Sequence, residues 1–450
     1  MSHQKLGWFG IARLGLVQAA LGSIVVLTTS TMNRVMVVEL ALPAILPGAL
    51  VGLHYATQLL RPAFGHGSDR GARRTPWLIA GMLVLAIGAI AAAGATALMG
   101  VSLTAGVLAA VLAFLLIGAG VGAAGTTLLA LLATATDPAK RAGAAMVTWM
   151  MMIAGIVFTT ICAGNLLDPY SPPRLIAVTA GVAMIAISVT LIALWQLEPA
   201  DGHVVEARPA SPNATVSSFK RALADVWADH QARAFTIFVF VSMLAYSAQD
   251  LILEPFAGHV FGYTPGESTK LSGVQHAGVL VGMLLTGTLG TYAARRGVGS
   301  LRSWCIGGCI ASAFALAGLS FGASAGDSWP LSANVFALGA ANGAFAVAAI
   351  GSMMELASSG GERKEGIRVG LWGAAQGIAF GLGGLAGTAS VDVARLLISE
   401  PASAYALVFA AEALLFIVSA VLAARLARRE ERAQGKPPIK ASVAFQSGRG

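Results

Sequence analysis

Polar and ionisable side chains set inside apolar stretches are the groups of this chain whose types and spacing could do chemistry. The densest set is Tyr246, Gln249, Asp250 and Glu254, at helical spacings of three and four and followed at once by Pro255. Two readings of Asp250 and Glu254 stand open: a proton- or ligand-responsive carboxylate pair facing a central cavity, or two acids that have reached the outer headgroup region and are solvated. A second set, Asn33, Arg34 and Glu39, closes the first apolar run. Arg34 and Glu39 are five apart, off the three-and-four spacing of an α-helical ion pair. Each is therefore expected to find a partner on another helix or in water, and Asp250 or Glu254 is the candidate partner for Arg34. His54 lies four residues before Gln58, and His276 follows Gln275. A histidine in an apolar run can ligate a metal or carry a proton; the commoner role is a hydrogen bond across a helix interface. Glu355 reads as a helix-end group and Glu412 as a lone interfacial acid.

The elements that must hold these groups are long and apolar. Apolar residues make up 56% of the 450 residues and charged residues 11%, against about 25% charged in a soluble domain. That excess cannot all hide in a water-soluble core, and runs of about 20 apolar residues recur, each long enough to cross a bilayer. The first run, from Gly10 to Thr29, is long and lacks an A-x-A-like cleavage site, so it reads as a span and not as a signal peptide. Net charge is 29 − 21 = +8, but the basic residues fall in short clusters between apolar runs. Clusters of that kind set membrane topology, so no nucleic-acid partner is expected. Cys162, Cys305 and Cys309 all lie in apolar stretches without a C-x-x-C pair, and read as small buried thiols with no metal site.

Apolar runs set against polar breaks predict spans near 11–31, 46–64, 76–97, 104–134, 142–165 and 174–197, then 233–254, 270–292, 303–324, 330–357, 368–390 and 402–427. This is an all-α membrane protein with twelve transmembrane helices in two six-helix repeats. The halves are 1–197 and 233–427, joined by a cytoplasmic linker at 198–232, with an interfacial helix at Ser218–His230, and followed by a basic cytoplasmic tail at 428–450. On alternate numbering of the loops, 24 of the 29 Lys and Arg residues fall on one side. Arg34, Arg174, Lys270 and Arg395 fall on the other, and Arg61 is left at a helix end. By the positive-inside rule the first side is cytoplasmic and both termini lie there.

Between the second and third runs stands Gly65-His-Gly-Ser-Asp69-Arg70-Gly-Ala-Arg73-Arg74. Glycine permits a tight turn, and Asp69 can pair with an arginine or cap a neighbouring helix, which would lock one conformation of a moving bundle. The stretch resembles the loop signature of the major facilitator superfamily, G-x-x-x-D-R-x-G-R-R, with glycine at 71 in place of 72. A second, degenerate copy follows span eight, Gly287-Thr-Leu-Gly-Thr291-Tyr-Ala-Ala-Arg295-Arg296-Gly, with Thr291 where the acid belongs. Internal repeats of this kind are common in transporter folds. The glycines at 370, 373, 377, 381 and 384, and at 118, 122 and 125, read as close helix packing. Span five lacks the G-P-x-x-x-G-G-like run of many drug antiporters, which weakens an exporter reading.

Thr31-Met-Asn-Arg-Val-Met-Val-Val-Glu-Leu-Ala-Leu-Pro43, Arg61-Pro62, Ser68-Asp69, Arg73-Arg74-Thr75-Pro76 and Gln249-Asp-Leu-Ile-Leu-Glu-Pro-Phe256 together resemble the PucC/LhaA family over nearly the whole chain. The likeness is at least as good to the branch encoded among bacteriochlorophyll genes, which has carried the label of a bacteriochlorophyll synthase chain, as to the antenna-assembly branch. The resemblance implies a major facilitator fold in a bacterial inner, intracytoplasmic membrane. It also implies a role in bacteriochlorophyll handling and light-harvesting complex assembly, with bacteriochlorophyll or a precursor as ligand, His54 or His276 as magnesium ligand, and bacteriochlorophyll synthase and light-harvesting polypeptides as partners. No tightly bound cofactor is expected. A prenyl-transferring synthase would need aspartate-rich motifs to hold magnesium and a diphosphate, and the one D-x-x-x-D, Asp225 to Asp229, sits in the linker without a second copy. A non-enzymatic factor is therefore expected. The alternatives are a proton-coupled transporter of a small solute using Asp250, Glu254 and Arg34, and a scaffold that moves nothing.

Overall fold

The computed structural model describes residues 6–69, 73–198, 227–296, 301–358 and 362–433. Among them the chain forms twelve helical rods. The first half holds α1 (Trp8–Glu39), α2 (45–69), α3 (Thr75–Met99), α4 (Leu103–Ala135), α5 (Arg141–Leu167) and α6 (Pro172–Leu194). The second holds α7 (His230–Phe261), α8 (Pro265–Arg295), α9 (Leu301–Ala325), α10 (Leu331–Ser358), α11 (Glu362–Leu397) and α12 (Pro401–Ala433). Ten are long and apolar enough to cross a membrane by themselves. The other two, α2 and α8, are the polar ones: α2 carries His54, Gln58 and Arg61 and tightens to a 3₁₀ turn at Gln58–Leu60, and α8 carries Glu267, Lys270, Gln275 and His276. A bundle in lipid must satisfy its backbone internally, which helices do through their own hydrogen bonds, and small-residue faces let them pack closely.

Buried side chains of α1–α6, from Ile11 to Leu194, form one core, which Leu251 of α7 joins. Those of α7–α12, from Phe235 to Leu426, form a second. A third, smaller cluster crosses between them: Val26 and Leu27 of α1 and Ile153, Ile156 and Ala163 of α5 meet Val279 and Met283 of α8.

Two helices outrun the expected spans for the same reason, α1 and α7. The polar residues that mark the expected ends find partners and remain inside the bundle. The first helix continues past Thr31 to Glu39, and α7 continues through Pro255 to Phe261, where Gly262 takes a left-handed φ of 67° and Tyr263 N donates to Ala257 O at 3.2 Å. Only a residue without Cβ adopts that backbone without cost.

The signature after span two is not wholly a loop, for Gly65–Asp69 form the last turns of α2 and a Cβ at Gly67 would lie 2.7 Å from Trp77. Arg70 lies outside the described residues, as do the side chains of Asp69, Thr291, Arg295 and Glu355. The linker's 199–226, with most of the expected interfacial helix and Asp225, and the tail's 434–450 also lie outside them. Asp229 caps α7, its Oδ1 accepting from Gln231 N at 3.0 Å. Cys305 and Cys309 are buried as expected, but Cys162 is exposed on α5, on a face whose apolar neighbours include the exposed Phe158 and Ile161.

The glycine stripes pack along only part of their length. Added Cβ atoms would strike His54 O at Gly118, Phe64 at Gly122, Tyr55 at Gly381 and Leu251 at Gly384, yet would meet nothing within 4 Å at Gly125, Gly373 or Gly377. Close packing thus stops towards the C-terminal end of α4 and the N-terminal end of α11, a correction to the reading of the whole stripe as packing.

Candidate functional site

The site is built on an irregular end of α1. Residues Leu27–Thr31 and Val35–Glu39 are π-helical, with Leu40 N donating to Val35 O, five residues back, at 3.0 Å. A π-turn bonds i to i+5 and often marks functional positions. It also stacks side chains five apart, and Arg34 Nη1 makes an ion pair with Glu39 Oε1. This corrects the expectation that the two would find separate partners: the i,i+5 spacing is wrong for an α-helix and right for a π-turn. Arg34 is buried, and its Nη2 donates to Tyr263 O at 2.5 Å, across to the second half. Neither Asp250 nor Glu254 is its ion-pair partner.

The same stretch of α1 supplies three more bridges. Ser30 Oγ donates to Glu254 Oε1 at 2.5 Å and lies 3.4 Å from Ser272 Oγ. Thr31 Oγ1 and Thr269 Oγ1 are 3.0 Å apart. Asn33 Nδ2 donates to Leu251 O at 2.5 Å. Ser30, Thr31, Asn33, Thr269 and Ser272 are all buried, and Glu254 is 1% exposed, with Oε2 bonded to no described residue. Glu254 stands seven residues inside the end of α7, which answers the open question of its solvation. It is an interior carboxyl group at the meeting of α1, α7 and α8. Asp250, one turn deeper and half-buried, accepts from Gln275 Nε2 at 3.1 Å. Gln249 is fully buried and neither of its side-chain polar atoms bonds a described residue; the same holds for both carboxyl oxygens of Glu412 on α12, so Glu412 is interior and not interfacial.

Two aspartates that sequence reasoning missed close the same end of the molecule. Asp392 of α11 accepts from Ala44 N at 2.9 Å and Ile45 N at 2.7 Å, capping the start of α2. Asp168, just after α5, accepts from Gly266 N at 3.1 Å and Thr264 Oγ1 at 2.8 Å, capping the start of α8. Helix starts leave unbonded N–H groups that an aspartate satisfies. Each cap comes from the opposite half, and α2 and α5 occupy in the first half the places that α8 and α11 occupy in the second. Only the pairing of the repeats could have revealed this, because neither aspartate belongs to a motif.

Among the described contacts, Arg73 and Arg74 reach α4 and the start of the linker. Arg74 Nη1 donates to Ala130 O at 2.9 Å and Thr134 Oγ1 at 2.6 Å, and Arg73 Nη2 to Glu198 O at 3.3 Å. Glu198 caps α3 by accepting from Thr75 N at 2.7 Å and from Arg74 N at 3.2 Å. Asp69 closes α2.

The two histidines differ in what their nitrogens do. His54 is 2% exposed, its Nε2 lies 3.0 Å from Gln58 Nε2, and its Nδ1 bonds no described residue. Gln58 Oε1 in turn accepts from Arg61 Nη2. His276 is half-buried, and its Nδ1 lies 2.8 Å from Ser272 O.

Twelve helices in two cores, joined through α1, α5, α7 and α8, define a polytopic membrane protein of the major facilitator fold. Solved structures agree: a bacterial homologue of the human lysosomal transporter Spinster, in an inward-facing and unoccupied conformation, superposes with TM-score 0.69 at 15% identity, covering 96% of this chain and 99% of that one. The nucleoside transporter NupG superposes with TM-score 0.66 at 15% identity, covering 93% and 98%. At such identities the likeness is one of fold. Residues 31–431 match the family model described as PUCC protein, and the chain belongs to the PucC family. It is 52% identical to the bacteriochlorophyll synthase 44.5 kDa chain of Rhodobacter capsulatus, covering 93% of this chain and 95% of that one. It is 30% identical to Protein PucC of Cereibacter sphaeroides, covering 92% and 91%.

Proposed function

We propose that this protein is a non-enzymatic membrane factor in bacteriochlorophyll handling and light-harvesting complex assembly, binding or delivering bacteriochlorophyll or a late precursor. The carrying observation is the 52% identity, along 93% of the chain, to a relative named for bacteriochlorophyll synthesis, in a chain with a transporter-type fold. The non-enzymatic part is supported by chemistry. Prenyl transfer from a diphosphate calls for clustered oxygen ligands around magnesium, and the one D-x-x-x-D of the sequence, Asp225 to Asp229, has no second copy. In this reading the membrane is the bacterial inner, intracytoplasmic one, and both termini lie in the cytoplasm, the side that carries most of the Lys and Arg. Bacteriochlorophyll synthase and light-harvesting polypeptides are the partners.

The alternative is a proton-coupled transporter of a small solute. Its support is the interior carboxyl group of Glu254 at the junction of α1, α7 and α8, where rocking of the halves would make and break its contacts. The test is to purify the protein from a pigment-producing host and from one unable to make bacteriochlorophyll, then compare absorbance and co-purifying proteins. Stoichiometric pigment upholds handling of the pigment, and synthase or antenna subunits without pigment uphold a scaffold. Recovery of neither overturns the proposal in favour of the transporter.

A further inference from the structure

A magnesium tetrapyrrole is held by one lone pair on an axial ligand, so the protonation of each ring nitrogen decides which histidine can serve. In His54 the relevant lone pair is already used. Arginine only donates, so the contact from Arg61 fixes Gln58 Oε1 as the acceptor and turns the Gln58 amide N–H towards His54 Nε2. That nitrogen must then accept, Nδ1 carries the proton, and the ring is 2% exposed.

His276 has the opposite arrangement. A carbonyl only accepts, so the 2.8 Å contact from Nδ1 to Ser272 O puts the proton on Nδ1 and leaves the lone pair on Nε2. No described residue hydrogen-bonds Nε2, and the ring is half-buried. A ring N–H held by a backbone carbonyl is the usual support of a metal-ligating histidine, since it fixes the tautomer and the ring orientation. His276 lies eleven residues into α8, or roughly 16 Å along the axis from its start. Its neighbour Gln275 bonds Asp250, one turn from Tyr246. There Tyr246 and Tyr55 flank Phe380, with ring centroids 5.8 Å and 5.7 Å away. The rings are tilted or edge-on to one another, with interplanar angles of 60° and 35°, and form an aromatic cluster where α2, α7 and α11 meet.

Resting on the pigment-handling reading above, we propose that His276 Nε2 is the axial ligand for the magnesium of a bacteriochlorophyll-type tetrapyrrole, and that His54 is a structural residue. The test titrates the full-length protein, purified in detergent from a pigment-free host, with bacteriochlorophyll a. It follows affinity and the visible absorption and resonance Raman bands that report magnesium coordination. The native protein binds with a histidine signature. H276A weakens binding about tenfold or more and added imidazole restores the native spectrum, H276Q serves as a folded control that also lacks the signature, and H54A stays within about twofold. Native-like affinity and spectrum in H276A and H276Q, or loss of the signature in H54A alone, would overturn the assignment while leaving the pigment reading standing. Absence of binding by the native protein would remove both.

Discussion

Asn33 of α1 supplies the hydrogen bond that Pro255 of α7 takes away. A proline inside a helix has no N–H to give the carbonyl four residues back. In α7 that carbonyl belongs to Leu251, and Asn33 Nδ2 lies 2.5 Å from it. An orphan carbonyl in a buried interior costs about 1–3 kcal/mol, so one amide both repairs a broken helix and ties the halves together. N33L is expected to destabilise the protein by that amount. In a P255A background, where the substituted alanine brings a backbone N–H that can bond Leu251 O, the loss should shrink by at least about 0.5 kcal/mol. Unfolding of the four proteins in a double-mutant cycle checks this, and strict additivity would refute it.

The ion pair of Arg34 with Glu39 should behave as a buried charge with a one-third exposed partner. Losing Glu39 strands the arginine, and E39A is expected to cost about 2–3 kcal/mol, less than a fully buried pair because water screens the carboxylate. Reversing both charges should not recover the loss, since Tyr263 O needs a donor at position 34. Thermal melts of E39A, R34M and R34E/E39R decide it; full recovery in the double reversal would show that the bond from Arg34 to Tyr263 O contributes nothing.

Asp168 and Asp392 form matching caps from opposite halves, and they are expected to hold one end of the molecule shut. Each cap is worth about 1 kcal/mol, or about fivefold in a two-state population. Spin labels at the exposed Val101 and Ser328, between α3 and α4 and between α9 and α10, read the separation of that end. D168A and D392A should each raise a long-distance population, and the double variant should raise it further. Unchanged distances in the double variant would show that the caps stabilise helices without closing the end.

Glu198 organises one end of the first half by capping α3 through Thr75. E198A is expected to lower stability by about 1–2 kcal/mol, with E198Q in between, because an amide oxygen still accepts but carries no charge for the helix dipole. Equal melting of E198A and the native protein would remove the cap from consideration.

Glu412 sits buried with neither oxygen bonded to a described residue. Replacing such a group with a well-packed apolar one is neutral or stabilising when the group serves folding alone. E412M should therefore melt at or above the native temperature, with any loss confined to pigment recovery. Destabilisation by more than about 1 kcal/mol would mean that Glu412 has a partner that matters for folding.

Composition and hydropathy were sufficient for the twelve helices and the two-half plan, because the length of an apolar run and the scarcity of charge are properties of the chain alone. Local order also singled out Asn33, Arg34, Glu39, Asp250 and Glu254, simply because they are polar among apolar neighbours. What they do was decided in three dimensions. The pairing of Arg34 with Glu39 depends on a π-turn that α-helical periodicity does not anticipate. Asn33 meets Leu251 O only because α1 and α7 cross at the proline, and the choice between His54 and His276 depends on which nitrogen each neighbour has claimed. Asp168 and Asp392 carry no local signal at all, since a cap is defined by the helix it ends and both of theirs lie in the other half. A chain fixes where polarity is placed along a helix, and only the packing of one helix against another fixes which of its protons and lone pairs remain unspent.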